Sequence, residues 1–186
     1  SGSERAGSLN MRLADLAQKR LQAAGADVTR LSMRDLNLPV YDGDLEAQGG
    51  PPAGAQTLRD AIDGHDGLFI ASPEYNAGVP PLLKNALDWA SRDASALNAA
   101  GQAGPLLAGK VVALGAASPS PNGGLRNLIP MRTMLELGYF AQVVPEMVTV
   151  PDAGNLFSAD GDLTNPMRSG QLDGALKSLL AQTARR

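Results

Sequence analysis

The sequence predicts an α/β fold in which helices cover both faces of a central parallel sheet. Short apolar runs alternate along the chain with segments in which apolar residues recur at helical spacing. Two of the runs, residues 67–71 and 110–115, are almost uniformly apolar, as is typical of strands buried on both faces. Since each connecting helix must pack back onto the sheet, we expect three layers, α/β/α.

Five segments have the apolar periodicity of amphipathic helices. The first, residues 8–24, ends at Gly25, and the third opens on Pro80 and Pro81, which suit a first helical turn. The expected helices are residues 8–24, 54–63, 80–89, 124–137 and 166–183. In the fourth, the expected apolar side consists of Leu125, Leu128, Ile129, Met131, Met134 and Leu135.

Short β-prone or apolar runs predict the strands. They are residues 28–31, 67–71, 110–115 and a last strand over 142–150 that we expect to be interrupted at Pro145. Residues 32–52 and 93–108 are interpreted as loops. Because Ser1-Gly2-Ser3 resembles a loop that should follow a strand, we expect a further strand upstream of residue 1.

Composition narrows the class of protein. The chain has 186 residues, 44% of them hydrophobic, which fits one domain over residues 1–186. It has no apolar run near the ~20 residues that a membrane-spanning helix needs. A formal charge of −3 argues against a nucleic-acid partner. Zero cysteines exclude disulfides and iron–sulfur clusters and fit a cytoplasmic protein.

Three unusual loops fall where ligands bind in such sheets, beyond the carboxyl ends of the strands. We call them loop A (residues 1–10), loop B (residues 72–81) and loop C (residues 118–124). Loop A combines glycines with hydroxyl and amide side chains, adds Arg5, and leads directly into a helix N-terminus. These features suit a mononucleotide phosphate, although an ordinary turn capping a helix is an open alternative.

Loops B and C could serve a flat heterocycle. Loop B can present backbone N–H groups and amide side chains to a ring edge, but Tyr75 could instead be a subunit contact and Glu74 a surface charge. The glycines of loop C would allow close backbone approach to a ring, or they could simply form a tight turn.

The three motifs together resemble the NADPH-dependent FMN reductases, which include quinone, azo-dye and chromate reductases. They read S-G-S-x-R-x-G-S-x-N, then P-E-Y-N-x-G-x-P-P-x-L-K-N-A-L-D-W, then a G-G turn after the next strand. The resemblance implies a flavodoxin-like fold with strand order 2-1-3-4-5. It also implies bound FMN, NADPH or NADH as hydride donor, and a quinone, azo compound, chromate or free flavin as acceptor.

The same resemblance assigns the site residues. In that family loop A holds the FMN phosphate, while loops B and C line the isoalloxazine. The implied residues are Ser3, Arg5, Ser8, Leu9 and Asn10 in loop A, Pro73, Glu74, Tyr75 and Asn76 in loop B, and Ser118, Gly123 and Gly124 in loop C. No catalytic side chain is expected, because the flavin carries the chemistry. One histidine, His65, and no cysteine argue against a metal site.

We expect a homodimer or homotetramer and a ping-pong reaction in which donor and acceptor use one open face of the flavin in turn. Leu83, Leu87 and Trp89, with the loop 93–108, are the expected subunit contacts. Two other classes compete with a reductase. One is a flavodoxin-type single-electron carrier. The other, a receiver-type signalling module, is poorly supported because residues 72–73 and 116–118 supply no acidic cluster at the strand ends.

Overall fold

The computed structural model describes residues 1–92 and 105–185. Three strands form a parallel sheet in the order β1-β2-β3. Their bounds are β1 Gly67–Ala71, β2 Val111–Ala117 and β3 Gln142–Val150. The predicted parallel sheet is confirmed, and the apolar runs mark the strand positions to within two residues.

Six α-helices surround the sheet in the described residues. They are α1 Leu9–Ala23, α2 Gly43–Gly49, α3 Ala53–Asp63, α4 Pro81–Ala90, α5 Leu125–Thr133 and α6 Pro166–Thr183. A π-helical turn, Met134–Gly138, continues α5. The five predicted helices are confirmed. None of the described helices is long and apolar enough to cross a membrane.

Five of the described helices, all except α2, lie in two layers, one on each face of the sheet. Val112 and Leu114 of β2 pack in one apolar cluster with side chains from α3, α4 and α5. Val111 and Ala113 point the other way and pack with α1 and α6. This alternation follows from the two-residue period of a strand. The predicted α/β/α layering therefore holds, with β2 at its centre.

Three details of the secondary structure differ from expectation. Residues 28–31 form no strand, because no described strand lies beside this segment to pair with it. The described sheet therefore has three strands instead of the expected five. Helix α2 lies where a loop was expected. The Asp42 side chain caps it, but none of its residues is buried, so it has no apolar period to detect. Pro145 does not interrupt β3; it lies at a shift in the pairing register, between Val143 and Met147.

Two groups of predicted apolar contacts also differ. On α5 and the π-helical turn that follows it, Leu128, Met131 and Leu135 are buried, whereas Leu125 and Ile129 face outward. On α4, all three of the expected subunit contacts are buried within the chain. They are Leu83, Leu87 and Trp89, with exposures of 5%, 3% and 1%. The expected role of these three side chains was therefore wrong, since they have no surface left for a second subunit. Residues 93–104 of the other expected contact lie outside the described residues.

Trp89 is covered by residues from the 39–46 segment. Its indole N–H donates to the Pro39 carbonyl at 2.8 Å, and its ring meets the Tyr41 ring edge-on at 4.9 Å between centroids. The preceding residue, Asp88, accepts a hydrogen bond from Lys84 and another from the Tyr139 hydroxyl. Burial, and then this bond, raise the pKa of Tyr139, so its phenol stays a neutral donor.

Gly124 fixes the start of α5 against β2. Its φ of 84° is left-handed, and a Cβ there would lie 2.5 Å from the Ala116 Cβ. Substitution Gly124→Ala should lower the free energy of unfolding by about 2–4 kcal/mol, since it combines left-handed strain with overpacking. Urea unfolding of the two proteins measures the change.

Gly174→Ala is the matched control for this prediction. Gly174 lies inside α6, and a Cβ there would meet nothing within 4 Å. This variant should gain ~0.5–1 kcal/mol because alanine favours the helix. Equal stabilities for Gly124→Ala and the wild type would show that α5 can move away from Ala116.

Candidate functional site

Loops A, B and C meet at the carboxyl edge of the sheet. The Gly2 N–H donates to the Ala71 carbonyl at 2.8 Å, which places loop A beside the end of β1, where loop B begins. The packing here is close, because a Cβ on Gly2 would lie 3.1 Å from the Pro80 ring. The Ser118 N–H, at the start of loop C, donates to the Val150 carbonyl at the end of β3.

Asn10 joins loop A to the end of β2. Its amide group donates to the Ala117 carbonyl and accepts from the Ala117 N–H, both at 2.9 Å. The side chain is 3% exposed, so these two bonds form away from solvent. Asn10 therefore holds the N-terminus of α1 at the end of β2, and its amide is already engaged with the backbone.

The other predicted residues of loop A surround the N-terminus of α1. Ser8 caps the helix by accepting from the Met11 N–H, and Ser3 and Ser8 are both buried. Leu9, the first helical residue, has a backbone N–H that no intrahelical carbonyl can reach. Arg5 is exposed, and its guanidinium has no hydrogen-bond or ion-pair partner within the described residues. The loop thus offers unpaired donors and a free cation.

Loops A and B border an open cleft of about 460 Å³. It is lined by residues 2–5 of loop A, Tyr75 of loop B, Leu82 at the start of α4, and Arg34. Arg34 was not predicted from the sequence, because it lies in a segment without a motif. Its guanidinium donates to the Glu4 carbonyl at 2.6 Å, which holds it beside loop A.

Loop B turns sharply at its tip. Tyr75 and Gly78 exchange two backbone hydrogen bonds, of 3.2 and 2.9 Å, around Asn76 and Ala77. Both central residues have positive φ, 50° and 62°, which side chains other than glycine rarely adopt. Tyr75 remains half exposed and faces the cleft, while Asn76 is exposed at the tip.

Two neighbouring residues of α5 hold the base of loop B. Arg126 pairs with the Glu74 carboxylate, whose Oε1 accepts from the Arg126 Nε at 2.7 Å. The buried amide of Asn127 donates to the Ser72 hydroxyl and the Pro73 carbonyl, both at 2.9 Å. Sequence reasoning missed Arg126 and Asn127. Their only signal was a position just after the glycine pair.

Loop C does not line this cleft. Ser118 is half-buried, and its hydroxyl accepts from the Ser120 N–H within the loop. Gly123 and Gly124 are buried against their own strand ends, since a Cβ on Gly123 would lie 2.8 Å from the Pro151 nitrogen. The described geometry therefore gives both glycines a packing role and brings only loops A and B together in one cleft.

The charged groups of the described residues form no metal site. No group of three or more histidine, aspartate or glutamate side chains lies together among them. The His65 ring, at the other end of β1, contacts the Ala61 carbonyl at 2.7 Å and lies away from the cleft.

Fold and site together define an α/β protein with a glycine- and hydroxyl-containing loop before a helix N-terminus, and an adjoining cleft, at the carboxyl edge of a parallel sheet. The chain belongs to the NADPH-dependent FMN reductase family, whose model matches residues 1–155. This finding confirms the resemblance that the three motifs carry.

Three similar proteins illustrate the family. A quinone reductase of Escherichia coli K12 is 37% identical over 135 residues, a match that covers 72% of this chain and just under two thirds (65%) of that protein. An NAD(P)H-dependent FMN reductase of Pseudomonas aeruginosa is 33% identical over 165 residues, covering 88% of this chain and 81% of the relative. The structure of FerB, a flavoenzyme NAD(P)H:acceptor oxidoreductase of Paracoccus denitrificans, superposes with a TM-score of 0.75 at 28% identity, covering 99% and 94% of the two chains.

Asn127→Ala should loosen loop B. The substitution removes two hydrogen bonds from a buried amide and leaves the Ser72 hydroxyl and the Pro73 carbonyl without that donor. We expect a loss of ~1–3 kcal/mol in the free energy of unfolding, the cost of buried polar groups left unpaired. Urea denaturation provides the measurement.

Asn155→Ala serves as its control. Asn155 is exposed, and among the described residues its side-chain amide bonds only to the nearby Asp152, so the change should stay within about 0.5 kcal/mol. If the two variants lost equal stability, the Asn127 bonds would not be what holds loop B.

Proposed function

We propose that this protein is an FMN-dependent oxidoreductase that takes hydride from NADPH or NADH and passes electrons to a small acceptor. Quinones, azo compounds, chromate and free flavin are the acceptor classes. The observation that carries the proposal is the cleft between loops A and B. There Arg5, whose guanidinium has no partner in the described residues, lines the same cavity as the half-exposed ring of Tyr75, and the chain runs from Arg5 directly into the N-terminus of α1.

The residues present fit FMN. Its terminal phosphate needs several N–H donors and positive charge, which loop A offers at Arg5 and at the first turn of α1. Ser3 and Ser8 belong to the same loop, and both are buried. When bound, FMN would supply the redox chemistry, and the chain would supply binding, orientation and electrostatics.

Each loop has its own proposed role. In loop A, Ser3, Arg5, Ser8 and the Leu9 N–H would bind the phosphate, while Asn10 would position the loop through Ala117. In loop B, residues 73–76 would border the isoalloxazine, with Glu74 anchored on Arg126. Loop C lies outside the cleft between loops A and B, so Ser118 would contact only a part of the ring that extends beyond that cleft, while Gly123 and Gly124 would set the position of α5.

A flavodoxin-type electron carrier is the second candidate. It shares the fold and a phosphate loop, but its loop is rich in neutral hydroxyl groups, whereas Arg5 adds a full charge here. Membership of a reductase family favours an enzyme that oxidises the nucleotide itself. Reduction of the bound flavin by NADPH alone separates the two candidates.

We also propose the flavodoxin-like strand order 2-1-3-4-5 within one domain, with β1, β2 and β3 as its third, fourth and fifth strands. Two contacts of loop A support this order. Gly2 bonds to Ala71 on one side, and the Glu4 carboxylate accepts from the Met33 N–H at 2.8 Å on the other. Loop A thus lies between the end of β1 and residues 32–34, the place that the first strand's end would take.

Self-association and location are proposals of the same kind. A homodimer or homotetramer would need apolar surface other than Leu83, Leu87 and Trp89. Val40 and Leu45, with exposures of 84% and 47%, offer such surface beside α4. A cytoplasmic location is supported by a sequence without cysteine.

The purified protein should bind FMN, and Arg5→Ala should weaken that binding by ~1.5–3 kcal/mol, the range for hydrogen bonds to charged groups. The guanidinium has no other partner in the described residues, so removing it should change the affinity for FMN and not the contacts within the protein. Flavin fluorescence quenching during titration gives the dissociation constant.

Lys177→Ala is the control, because Lys177 is an exposed cation on α6, away from the three loops. It removes the same charge and should leave FMN affinity unchanged. A protein that takes up no FMN would refute the proposed function, and an unaltered Arg5→Ala affinity would refute the role of Arg5.

Donor and acceptor should react by a ping-pong mechanism. Bound FMN would leave one ring face accessible from the cleft, so donor and acceptor would have to occupy the cleft in turn. We expect parallel double-reciprocal lines when one substrate is varied at fixed levels of the other. Anaerobic NADPH should also bleach the flavin absorbance before any acceptor is added.

Intersecting lines would contradict a shared face. A flavin absorbance that persists under anaerobic NADPH, but changes when a reduced partner protein is added, would instead favour the electron carrier.

A further inference from the structure

Two arginines without carboxylate partners line the cleft between loops A and B. In the described residues, six arginines form ion pairs, namely Arg20, Arg30, Arg59, Arg92, Arg126 and Arg132. Arg5 and Arg34 form none, yet both are exposed and border the same cleft. A pair of uncompensated cations facing one cavity favours an anionic ligand.

Arg34 is held in place without being neutralised. Its guanidinium donates to the Glu4 carbonyl at 2.6 Å, which uses one of its five donors. The Glu4 carboxylate does not pair with it. That group instead accepts from the Met33 N–H at 2.8 Å and from the Ser32 hydroxyl at 3.1 Å. Arg34 is therefore positioned by loop A and keeps its charge and most of its donors for another group.

We propose that Arg34 and Arg5 together bind a phosphomonoester in this cleft. Such a group carries ≈ −1.5 to −2 charges at neutral pH and has three acceptor oxygens. Two planar guanidinium groups match it in charge and in paired N–H geometry. Arg34 lines the cleft and is bonded to loop A at the Glu4 carbonyl, so it would contact a phosphate held beside loop A.

Two ligands of the proposed function carry this chemistry. One is FMN, through its terminal phosphate, and the other is NADPH, through its 2′-phosphate. Riboflavin and NADH are their counterparts without that group. The identification of FMN or NADPH as the ligand that carries the phosphate rests on the proposed function. The proposal that the two arginines bind an anion does not.

The test compares each phosphorylated ligand with its counterpart in wild type, Arg34→Gln and Arg34→Lys. Arg34→Gln should lower one of two ratios by about tenfold, as expected for a partly exposed charged hydrogen bond. The ratios are riboflavin over FMN dissociation constants, and NADPH over NADH kcat/KM. Values for riboflavin and NADH should change less than twofold. Arg34→Lys should restore part of the loss, since it keeps the charge.

Arg30→Gln is the matched control. The substitution removes the same charge from the same segment of the chain. Arg30, however, pairs with Asp15 on α1 and does not line the cleft. A fall in the FMN ratio assigns the phosphate to FMN, and a fall in the NADPH ratio assigns it to the donor. Unchanged ratios, or equal falls in Arg30→Gln, would overturn the inference.

A third measurement separates this inference from the proposed function. If the protein neither binds FMN nor oxidises NADPH, the proposed function fails, and inorganic phosphate becomes the probe. Phosphate-31 line broadening should then show binding that Arg34→Gln weakens about tenfold and Arg30→Gln does not. Equal binding by both variants would overturn the two-arginine site.

Discussion

The reciprocal pair of hydrogen bonds between Asn10 and Ala117 is the contact on which the site depends. It fixes the N-terminus of α1 at the end of the central strand, 107 positions away in the chain. Because the pair is buried, breaking it would leave both an amide and a backbone group unsatisfied. The unpaired N–H groups of α1, and with them Arg5, are thereby placed at the edge of the sheet where loop B also begins.

Loop B depends on a second set of contacts from the opposite face of the sheet. Gly124 packs against Ala116 and sets where α5 starts, so that Arg126 and Asn127 reach Glu74, Ser72 and Pro73. These bonds hold a loop whose tip has two residues, Asn76 and Ala77, in left-handed conformations that cost of order 1–2 kcal/mol each. The strain is confined to this turn, and the turn directs Tyr75 into the cleft.

The sequence predicted the fold well where burial is extensive. Strands 67–71 and 110–115 are nearly continuous apolar runs because helices cover both faces of the sheet, and the leucines of α6 recur at helical spacing because one face of that helix is buried. It failed at Val28–Leu31, where a strand needs a neighbour to pair with, and at α2, which has no buried residue. The motifs located loops A and B, but they could not reveal Arg34 or Asn127. Those two side chains enter the site through long-range contacts that leave no local pattern.

Positive charge is concentrated beside the cleft between loops A and B. Ion pairs such as Arg20–Asp162 and Arg92–Glu46 join segments distant in sequence, so some arginines of the described residues hold such segments together. Arg34 also holds a loop in place, but it does so by donating to a neutral carbonyl, that of Glu4. Because no carboxylate takes part in this bond, the charge of Arg34 is not neutralised. Beside Arg5 and the positive end of α1, that arrangement concentrates positive charge at one edge of a chain whose net charge is −3. Water solvates this excess of positive charge in the open cleft. The attraction between these charges and an anion becomes stronger when the anion displaces that water.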